Sequence, residues 1–247
     1  MGKLSAVCGS PNSGKTTLSL KIAKSIYDNN KGRTVIFVSP DVTVPTLGYV
    51  FPNSKDENMY SIGVALDKTD IFKEDITKQF VTTKTMKDFA ILGFKLCENR
   101  YSYPDPTEDK ICQLFSSLRE TADYTIIDCT SDENDLISHI AKRDCDVAVQ
   151  VYNPNIKSMV FYASCINQFL MIEGKAIKVI NTLDNDIYLP FDEVKKKCGN
   201  TPFAVPYSRA IKQQMITGTL IEKLHDGKYT GAVDSIAKAV ISYGTNG

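Results

Sequence analysis

The stretch CGSPNSGKTTLS, residues 8–19, decides the fold of this 247-residue chain. It contains Gly9, four further residues and then Gly14-Lys15-Thr16, which is the spacing of a phosphate-binding loop. The apolar run at 4–8 predicts a strand before the loop, and the pattern from about 16 to 27 predicts a helix after it. A strand, a glycine-rich loop and a helix in this order provide the context in which such a loop binds phosphate.

The residue types in this loop suit the binding of a nucleoside triphosphate. Glycine at positions 9 and 14 lets the backbone turn sharply and approach a phosphate without a Cβ in the way. Lys15 supplies a positive charge for the β- and γ-phosphates, and Thr16 offers a hydroxyl to Mg²⁺. The alternative is a glycine turn that is followed by Lys-Thr through chance. The residues of this stretch expected to contact the nucleotide are Gly9, Asn12, Ser13, Gly14, Lys15, Thr16 and Thr17.

Apolar, β-branched runs alternate with helical patterns along the whole chain. This alternation favours a single α/β domain over residues 1–247, with a mostly parallel, twisted sheet and helices on both faces. Residues 45–85 are the least regular part and predict either a lid or partner surface or a solvated insertion, with a charged helix at 70–80. The predicted strands lie at 4–8, 32–39, 88–94, 124–129, 146–152, 176–182 and 201–206. The predicted helices lie at about 16–27, 109–121, 133–142, 157–172, 190–197, 208–215 and 230–243.

The composition matches an ordinary soluble globular protein. The 29 basic and 29 acidic residues cancel, so overall charge gives no reason to bind nucleic acid or an acidic membrane. No run approaches the ~20 apolar residues that span a bilayer, and the first apolar stretch is too short for a signal peptide. Seven scattered cysteines, without a CxxC pair or a Cys/His ligand spacing, predict reduced thiols in a cytoplasmic protein.

Two acidic residues follow predicted strands and are candidate metal ligands. Asp128 ends the strand at 124–129, and open α/β sheets build their ligand sites at the carboxyl ends of strands. Asp41 follows the strand at 32–39, where it could orient a water molecule or bind the metal's hydration shell. The alternatives are a strand-ending cap for Asp128 and a turn for Asp41, since Ser-Pro-Asp also favours a turn.

These features together resemble the ParA/MinD family of P-loop ATPases, which position plasmids, division sites, pili, flagella and secretion machines. The resemblance runs through nearly the whole chain and is far more specific than the phosphate loop alone. Besides that loop, it is carried by the segments VIFVSPD (35–41), LRETADYTIIDCTS (118–131), CDVAVQVYNPNIKSMVFYASCINQF (145–169), KVINTLD (178–184) and FAVPYSRAIKQQMITGTLI (203–221).

The resemblance implies a role for each matching residue. It implies that Asn181 contacts adenine, a role that suits an amide with both donor and acceptor, although an asparagine that forms a turn after a strand is the alternative. It also implies that Pro206 and Tyr207 line the adenine pocket. The implied catalytic residues are Lys15, Asp41 and Asp128, and the implied metal ligands are Thr16, Asp41 and Asp128, for the cofactors ATP or ADP and Mg²⁺.

The chain departs from the family pattern at three places. Ser10 replaces a lysine that in the family reaches a partner's nucleotide, so one cation that stabilises the transition state is missing. By analogy with arginine fingers, such a loss costs about 10³–10⁵ in rate. Ser39 replaces the first acidic residue after the second strand, and the sequence at 128–131 lacks the usual proline or glycine. In its loop the chain resembles the TadZ/CpaE type, a subgroup tied to pilus and secretion-system assembly.

The resemblance implies an ATP-binding protein, a slow ATPase, that localises a larger assembly from the cytoplasm or, through partners, at a membrane. Its partners would be proteins of a positioning, pilus or secretion system, and the departures leave a nucleotide-dependent homodimer open. A non-catalytic adaptor and a tyrosine-kinase-like phosphotransferase are the alternatives, although the tail offers only Tyr229 and Tyr243 as phosphate acceptors. The short basic runs at 195–197 and 84–87 are either solvated faces or DNA contacts.

Overall fold

A computed structural model describes residues 1–51, 59–184, 189–199 and 203–244 of the chain. Eight strands in these residues form one sheet. They are β1 (Lys3–Gly9), β2 (Val35–Ser39), β3 (Val81–Thr83), β4 (Met86–Gly93), β5 (Tyr124–Asp128), β6 (Val147–Tyr152), β7 (Ala176–Asn181) and β8 (Phe203–Val205). Their order across the sheet is β3-β4-β2-β5-β1-β6-β7-β8, and only the β3–β4 pair is antiparallel.

Eleven α-helices connect these strands within the described ranges. They are α1 (Lys15–Asn29), α2 (Leu47–Val50), α3 (Ile62–Leu66), α4 (Lys73–Thr77), α5 (Glu108–Thr121), α6 (Leu136–Asp144), α7 (Ile156–Ser164), α8 (Ile166–Leu170), α9 (Phe191–Lys197), α10 (Arg209–Thr217) and α11 (Gly227–Ser242). None of the helices in the described part of the chain has the length and apolar character that crossing a membrane requires.

The hydrophobic core lies in two layers, one on each face of the sheet. Successive residues of a strand point to opposite faces, so Ile36 packs in one layer and Phe37 in the other. Helices α1 and α11 cover the face of Phe37, while α5 and α6 cover the face of Ile36. Burial on both faces explains why the central strands consist of nearly unbroken apolar runs. The predicted parallel α/β fold with helices on both faces is confirmed.

The structure differs from the sequence prediction in several details. The strand predicted from residue 32 begins at Val35, and the helix predicted at 157–172 breaks at Cys165 into α7 and α8. In the irregular region the helix predicted at 70–80 is the shorter α4, and the sequence pattern did not predict α2, α3 or the strand β3. Residues 201 and 202 of the last predicted strand lie outside the described residues. These differences concern short elements, whose patterns span too few residues to show a period.

Replacing Phe37 by alanine tests the two-layer core. Phe37 is fully buried, so its removal leaves a cavity and should lower the free energy of unfolding by about 3–5 kcal/mol. Phe72 is 64% exposed, and the matched change Phe72→Ala should alter that free energy by less than about 0.5 kcal/mol. Chemical denaturation of both variants measures the difference, and equal losses would contradict this packing.

Candidate functional site

The phosphate loop joins the carboxyl end of β1 to the first residue of α1. Asn12 and Gly14 both have left-handed backbone angles, with φ of 57° and 75°. A Cβ at Gly9 would lie 2.7 Å from the carbonyl oxygen of Val151, and a Cβ at Gly14 would lie 2.6 Å from Nδ2 of Asn181. Such contacts are too short for a side chain, and Gly14 also needs its positive φ. The loop therefore keeps its shape only with glycine at both positions.

Helix α1 presents an uncapped N-terminus to the loop. Gly14 occupies the N-cap position, where it has no side chain to accept a hydrogen bond, and the first turn contains no acidic residue. The first backbone N–H groups of a helix have no partner within the helix, and together with the helix dipole they attract anions. The start of α1 can therefore bind a phosphate group, with the half-buried Lys15 as its first residue.

Asp128 is a buried carboxylate beside this helix end. It ends β5 and pairs in register with Val7 of β1, so it lies next to the phosphate loop. Burial raises the pKa of Asp128 to about 6, an effect that the hydroxyls of Thr16 and Ser19 and the charge of Lys15 partly offset. Its Oδ1 atom has no hydrogen-bond partner among the described residues. A buried polar atom without a partner needs an explanation, and an absent ion or water molecule is one of the usual ones.

A second partnerless atom in the loop supports the same explanation. The hydroxyl of Ser13 is also buried and without a partner in the described part of the chain. No group of three or more His, Cys, Asp and Glu side chains there could hold a metal by itself. Mg²⁺ is usually bound through one or two carboxylates together with phosphate oxygens, rather than by a cage of protein ligands. The residues present, Thr16 and Asp128 beside an anion cradle, fit magnesium with a nucleotide.

Asp41 lies after β2 at the same edge of the sheet, but its carboxylate also closes a turn. Its Oδ1 accepts hydrogen bonds from the backbone N–H groups of Thr43 at 2.8 Å and Val44 at 2.9 Å. The negative charge of Asp41 contributes to the raised pKa of Asp128, so the two carboxylates lie near each other. The geometry therefore contains both the turn and the proximity to the candidate metal site that the sequence left open.

Asn181 links the end of β7 to the phosphate loop. It ends β7, is buried, and donates a hydrogen bond from Nδ2 to the carbonyl oxygen of Ser13 at 2.9 Å. It pairs in register with Val205, which directly precedes Pro206 and Tyr207. The three residues expected near adenine therefore lie close together. Both Pro206 and Tyr207 are half-buried, and the ammonium group of Lys212 lies 4.8 Å from the centre of the Tyr207 ring.

The two serines that replace charged residues are buried within the fold. Ser10 donates a hydrogen bond from its hydroxyl to Oγ of Ser158 in α7, at 3.0 Å. The hydroxyls of Ser39 and Thr46 lie 2.5 Å apart. Neither serine carries a charge. In both places a neighbouring hydroxyl holds the hydroxyl of the serine, at positions where the resemblance leads us to expect a charged group.

The sequence analysis did not single out several residues that hold the site together. Ser131 lies in the loop that follows β5 and donates a hydrogen bond from its hydroxyl to the carbonyl oxygen of Gly9 at 2.9 Å. This bond connects the loop after β5 to the phosphate loop. Ser158 and Asn153, after β6, contact Ser10 and the main chain of Asn181. The available signal was their position, since each follows a strand at the same edge as Asp128.

Replacing Asp128 by asparagine tests the cost of burying its charge. Because the folded protein raises this pKa above the unfolded value, it holds the proton more tightly, and its stability decreases as the pH rises from about 4 to about 6. At pH 7.5, without metal or nucleotide, Asp128→Asn should therefore raise the free energy of unfolding by on the order of 1–3 kcal/mol. Denaturation at several pH values should show this gain disappearing near pH 4.

The exposed Asp132 in the same loop provides the control for that experiment. Its Oδ1 accepts the N–H of Asn134, a bond that asparagine can also accept, so Asp132→Asn should leave the free energy of unfolding at pH 7.5 unchanged. A gain for Asp128→Asn that does not depend on pH would contradict the electrostatic explanation.

Comparison with known proteins places this geometry in a known fold. No protein-family model matches the chain, and no curated protein does. Solved structures do match over almost their whole length. The cell division ATPase MinD of Pyrococcus furiosus superposes with a TM-score of 0.76 at 20% identity, covering 98% of this chain and 99% of that one.

Two further solved structures superpose on the chain in the same way. The septum site-determining protein MinD of Pyrococcus horikoshii, complexed with Mg-ADP, has a TM-score of 0.74 at 16% identity and covers 97% of this chain and 96% of its own. A ParA family ATPase from Chlorobium tepidum has a TM-score of 0.73 at 12% identity, and the match covers 96% of this chain and 99% of that one. Such low identities establish architecture alone. The chain has the fold of the MinD and ParA ATPases.

Proposed function

We propose that this protein binds ATP or ADP with Mg²⁺ and is a slow ATPase that localises a larger assembly. The observation that carries the proposal is the buried carboxylate of Asp128, whose Oδ1 has no partner among the described residues and which lies beside the start of α1. A carboxylate and a helix N-terminus with a lysine, placed together, suit a divalent cation bound to an anion.

Each part of the nucleotide has a candidate site in the chain. The loop backbone from Gly9 to Gly14 and the ammonium of Lys15 would bind the phosphates, and the hydroxyl of Thr16 with Asp128 would hold the metal. Asn181 with Pro206 and Tyr207 would contact adenine. Support comes from the MinD of Pyrococcus horikoshii, which has the same fold and was solved with Mg-ADP.

Hydrolysis would rely on a small number of charges. Bound magnesium would withdraw charge from the phosphate oxygens. Lys15 and the N–H groups of α1 would stabilise negative charge that develops during the reaction, and Asp41 would orient the attacking water. Ser10 and Ser39 supply no charge, because both are neutral and hydrogen-bonded inside the fold. A site with fewer cations stabilises the transition state less, which is why we propose slow turnover.

The localising role is proposed from the neighbours of the fold and from the resemblance. One neighbour is a septum site-determining protein and another is a ParA family ATPase. We propose a cytoplasmic protein that acts through protein partners of a positioning, pilus or secretion system. Ser10 faces Ser158 of its own chain, so this role does not require a residue at position 10 to reach a second copy.

A non-catalytic adaptor that keeps its nucleotide as a structural element is the second candidate function. The turn that Asp41 closes favours this candidate, because its Oδ1 already accepts two backbone hydrogen bonds. Both candidates require nucleotide binding, and they differ in whether the nucleotide is hydrolysed.

Replacing Lys15 by alanine tests nucleotide binding. Removal of a charged donor from the phosphate loop should weaken binding of Mg-ATP and Mg-ADP by at least about thirtyfold. Lys31 is exposed beyond the end of α1, and Lys31→Ala should bind as the intact protein does. Calorimetric titration measures both variants, and an intact protein that binds neither nucleotide would refute the proposed function.

Replacing Asp41 by asparagine separates its two roles. Asparagine keeps the Oδ1 atom that accepts the N–H groups of Thr43 and Val44, but it removes the charge. The free energy of unfolding should then change by less than about 1 kcal/mol. If Asp41 orients water, ATP turnover should fall by about tenfold or more, as measured by phosphate release. Unchanged turnover would limit Asp41 to the turn, and no turnover in the intact protein would favour the adaptor.

A further inference from the structure

A closed ring of hydrogen bonds joins the phosphate loop to the ends of β6 and β7. The hydroxyl of Ser10 donates to Oγ of Ser158 at 3.0 Å, and the N–H of Asn153 donates to the same oxygen at 3.1 Å. Nδ2 of Asn153 then donates to the carbonyl oxygen of Asn181 at 3.0 Å. Nδ2 of Asn181 donates to the carbonyl oxygen of Ser13 at 2.9 Å. The N–H of Ser13 donates to the carbonyl oxygen of Ser10 at 3.3 Å, which closes the ring.

All five residues of this ring are buried, with side chains or main chain exposed by no more than a few per cent. Inside a protein the low dielectric strengthens each hydrogen bond, and the five bonds of a closed ring together favour a single geometry. Ser13 takes part through its main chain alone. The ring connects residues that are 148 and 168 positions apart in sequence. It therefore fixes the phosphate loop at both Ser10 and Ser13 against two separate strands.

From this ring we infer that Asn153 and Ser158 are positioning residues of the nucleotide site. They do not reach the nucleotide themselves but hold the groups that do. The inference rests on the proposed function, because it concerns the same site. Nothing in their residue types requires this role, since an asparagine and a serine after a strand would otherwise be read as helix-capping residues.

Ser158 governs the phosphate side of the site. Its oxygen accepts both the hydroxyl of Ser10 and the N–H of Asn153, and it lies in the first turn of α7. That turn is itself fixed, because the N–H of Ser158 donates to Oδ1 of Asn155, the N-cap, at 2.8 Å. The start of the phosphate loop thus takes its position from a capped helix.

Asn153 governs the base side of the site. Its Oδ1 accepts a hydrogen bond from Nδ2 of Asn155, which leaves its own Nδ2 directed to the carbonyl oxygen of Asn181. This bond fixes the main chain from which the Asn181 amide extends. The amide is the group expected to contact adenine, so loss of Asn153 should affect the base more than the phosphates.

The decisive experiment compares two ligands, Mg-ATP and magnesium tripolyphosphate, which has the phosphates without adenosine. Ser10→Ala removes one bond of the ring and should weaken binding of both ligands by about fivefold. Ser158→Ala removes that bond and the one from the N–H of Asn153, so it should weaken both by about tenfold or more. The double variant should bind as Ser158→Ala does, because the bond from Ser10 is already lost in that variant. Asn153→Ala should weaken Mg-ATP about fivefold more than it weakens tripolyphosphate.

Matched controls come from exposed residues of α7 and of the neighbouring helix α8. Ser164→Ala at the end of α7 and Asn167→Ala in α8 remove the same chemical groups outside the ring and should leave both affinities unchanged. If Asn153→Ala fails to fold, the milder Ser10→Ala and Ser158→Ala still decide the matter. If the intact protein binds ATP and these two variants bind both ligands as tightly as the intact protein does, the inference is overturned but the proposed function is not. Intact protein that binds neither ligand would overturn the proposed function together with it.

Discussion

The parallel pairing of β1 with both β5 and β6 is the constraint on which the site depends. The strand order changes direction at β1, and open α/β sheets bind ligands at the carboxyl ends of the strands at such a point. Because the register of β1 places Val7 opposite Asp128 and Gly9 opposite Val151, the phosphate loop starts between a carboxylate and the β6 strand. A slip in this register would separate the loop from Asp128, although each strand would keep its apolar pattern.

Electrostatics then decides which ligand can bind at this point. An anion alone would be attracted by Lys15 and the start of α1 but repelled by an ionised Asp128. A divalent cation alone would be repelled by the same lysine and helix end. Burial makes each of these interactions stronger than it would be at the surface. A cation and a polyphosphate that arrive together satisfy both halves, and the partnerless Oδ1 of Asp128 then gains a ligand. This charge arrangement supports our proposal that the site binds a cation together with a polyphosphate rather than either component alone.

The sequence predicted those parts of the fold and the site that depend on residues close to one another along the chain. Central strands such as β5 are buried on both faces and consist of apolar runs, and the rule that ligands bind at strand ends pointed to Asp128. The resemblance, rather than this rule, pointed to Asn181. The three-residue strand β3 and the break at Cys165 are too short to show a period. The bond between Ser10 and Ser158 spans 148 positions, so its formation depends on the tertiary fold and no local pattern shows it. Which role Asp41 plays in catalysis also stayed a prediction.

The position of Ser10 shows how one replacement changes the connections of a phosphate loop. A lysine has a long side chain whose charged end must reach water or an anion, because burying it without a partner costs several kcal/mol. The pocket of Ser10 offers instead the oxygen of Ser158, which suits a short neutral donor. The start of the loop is thereby bound to α7 of its own chain. In the reaction that we propose, catalytic charge would then come from Lys15, the metal and the helix N-terminus, because Ser10 supplies only a neutral hydrogen bond.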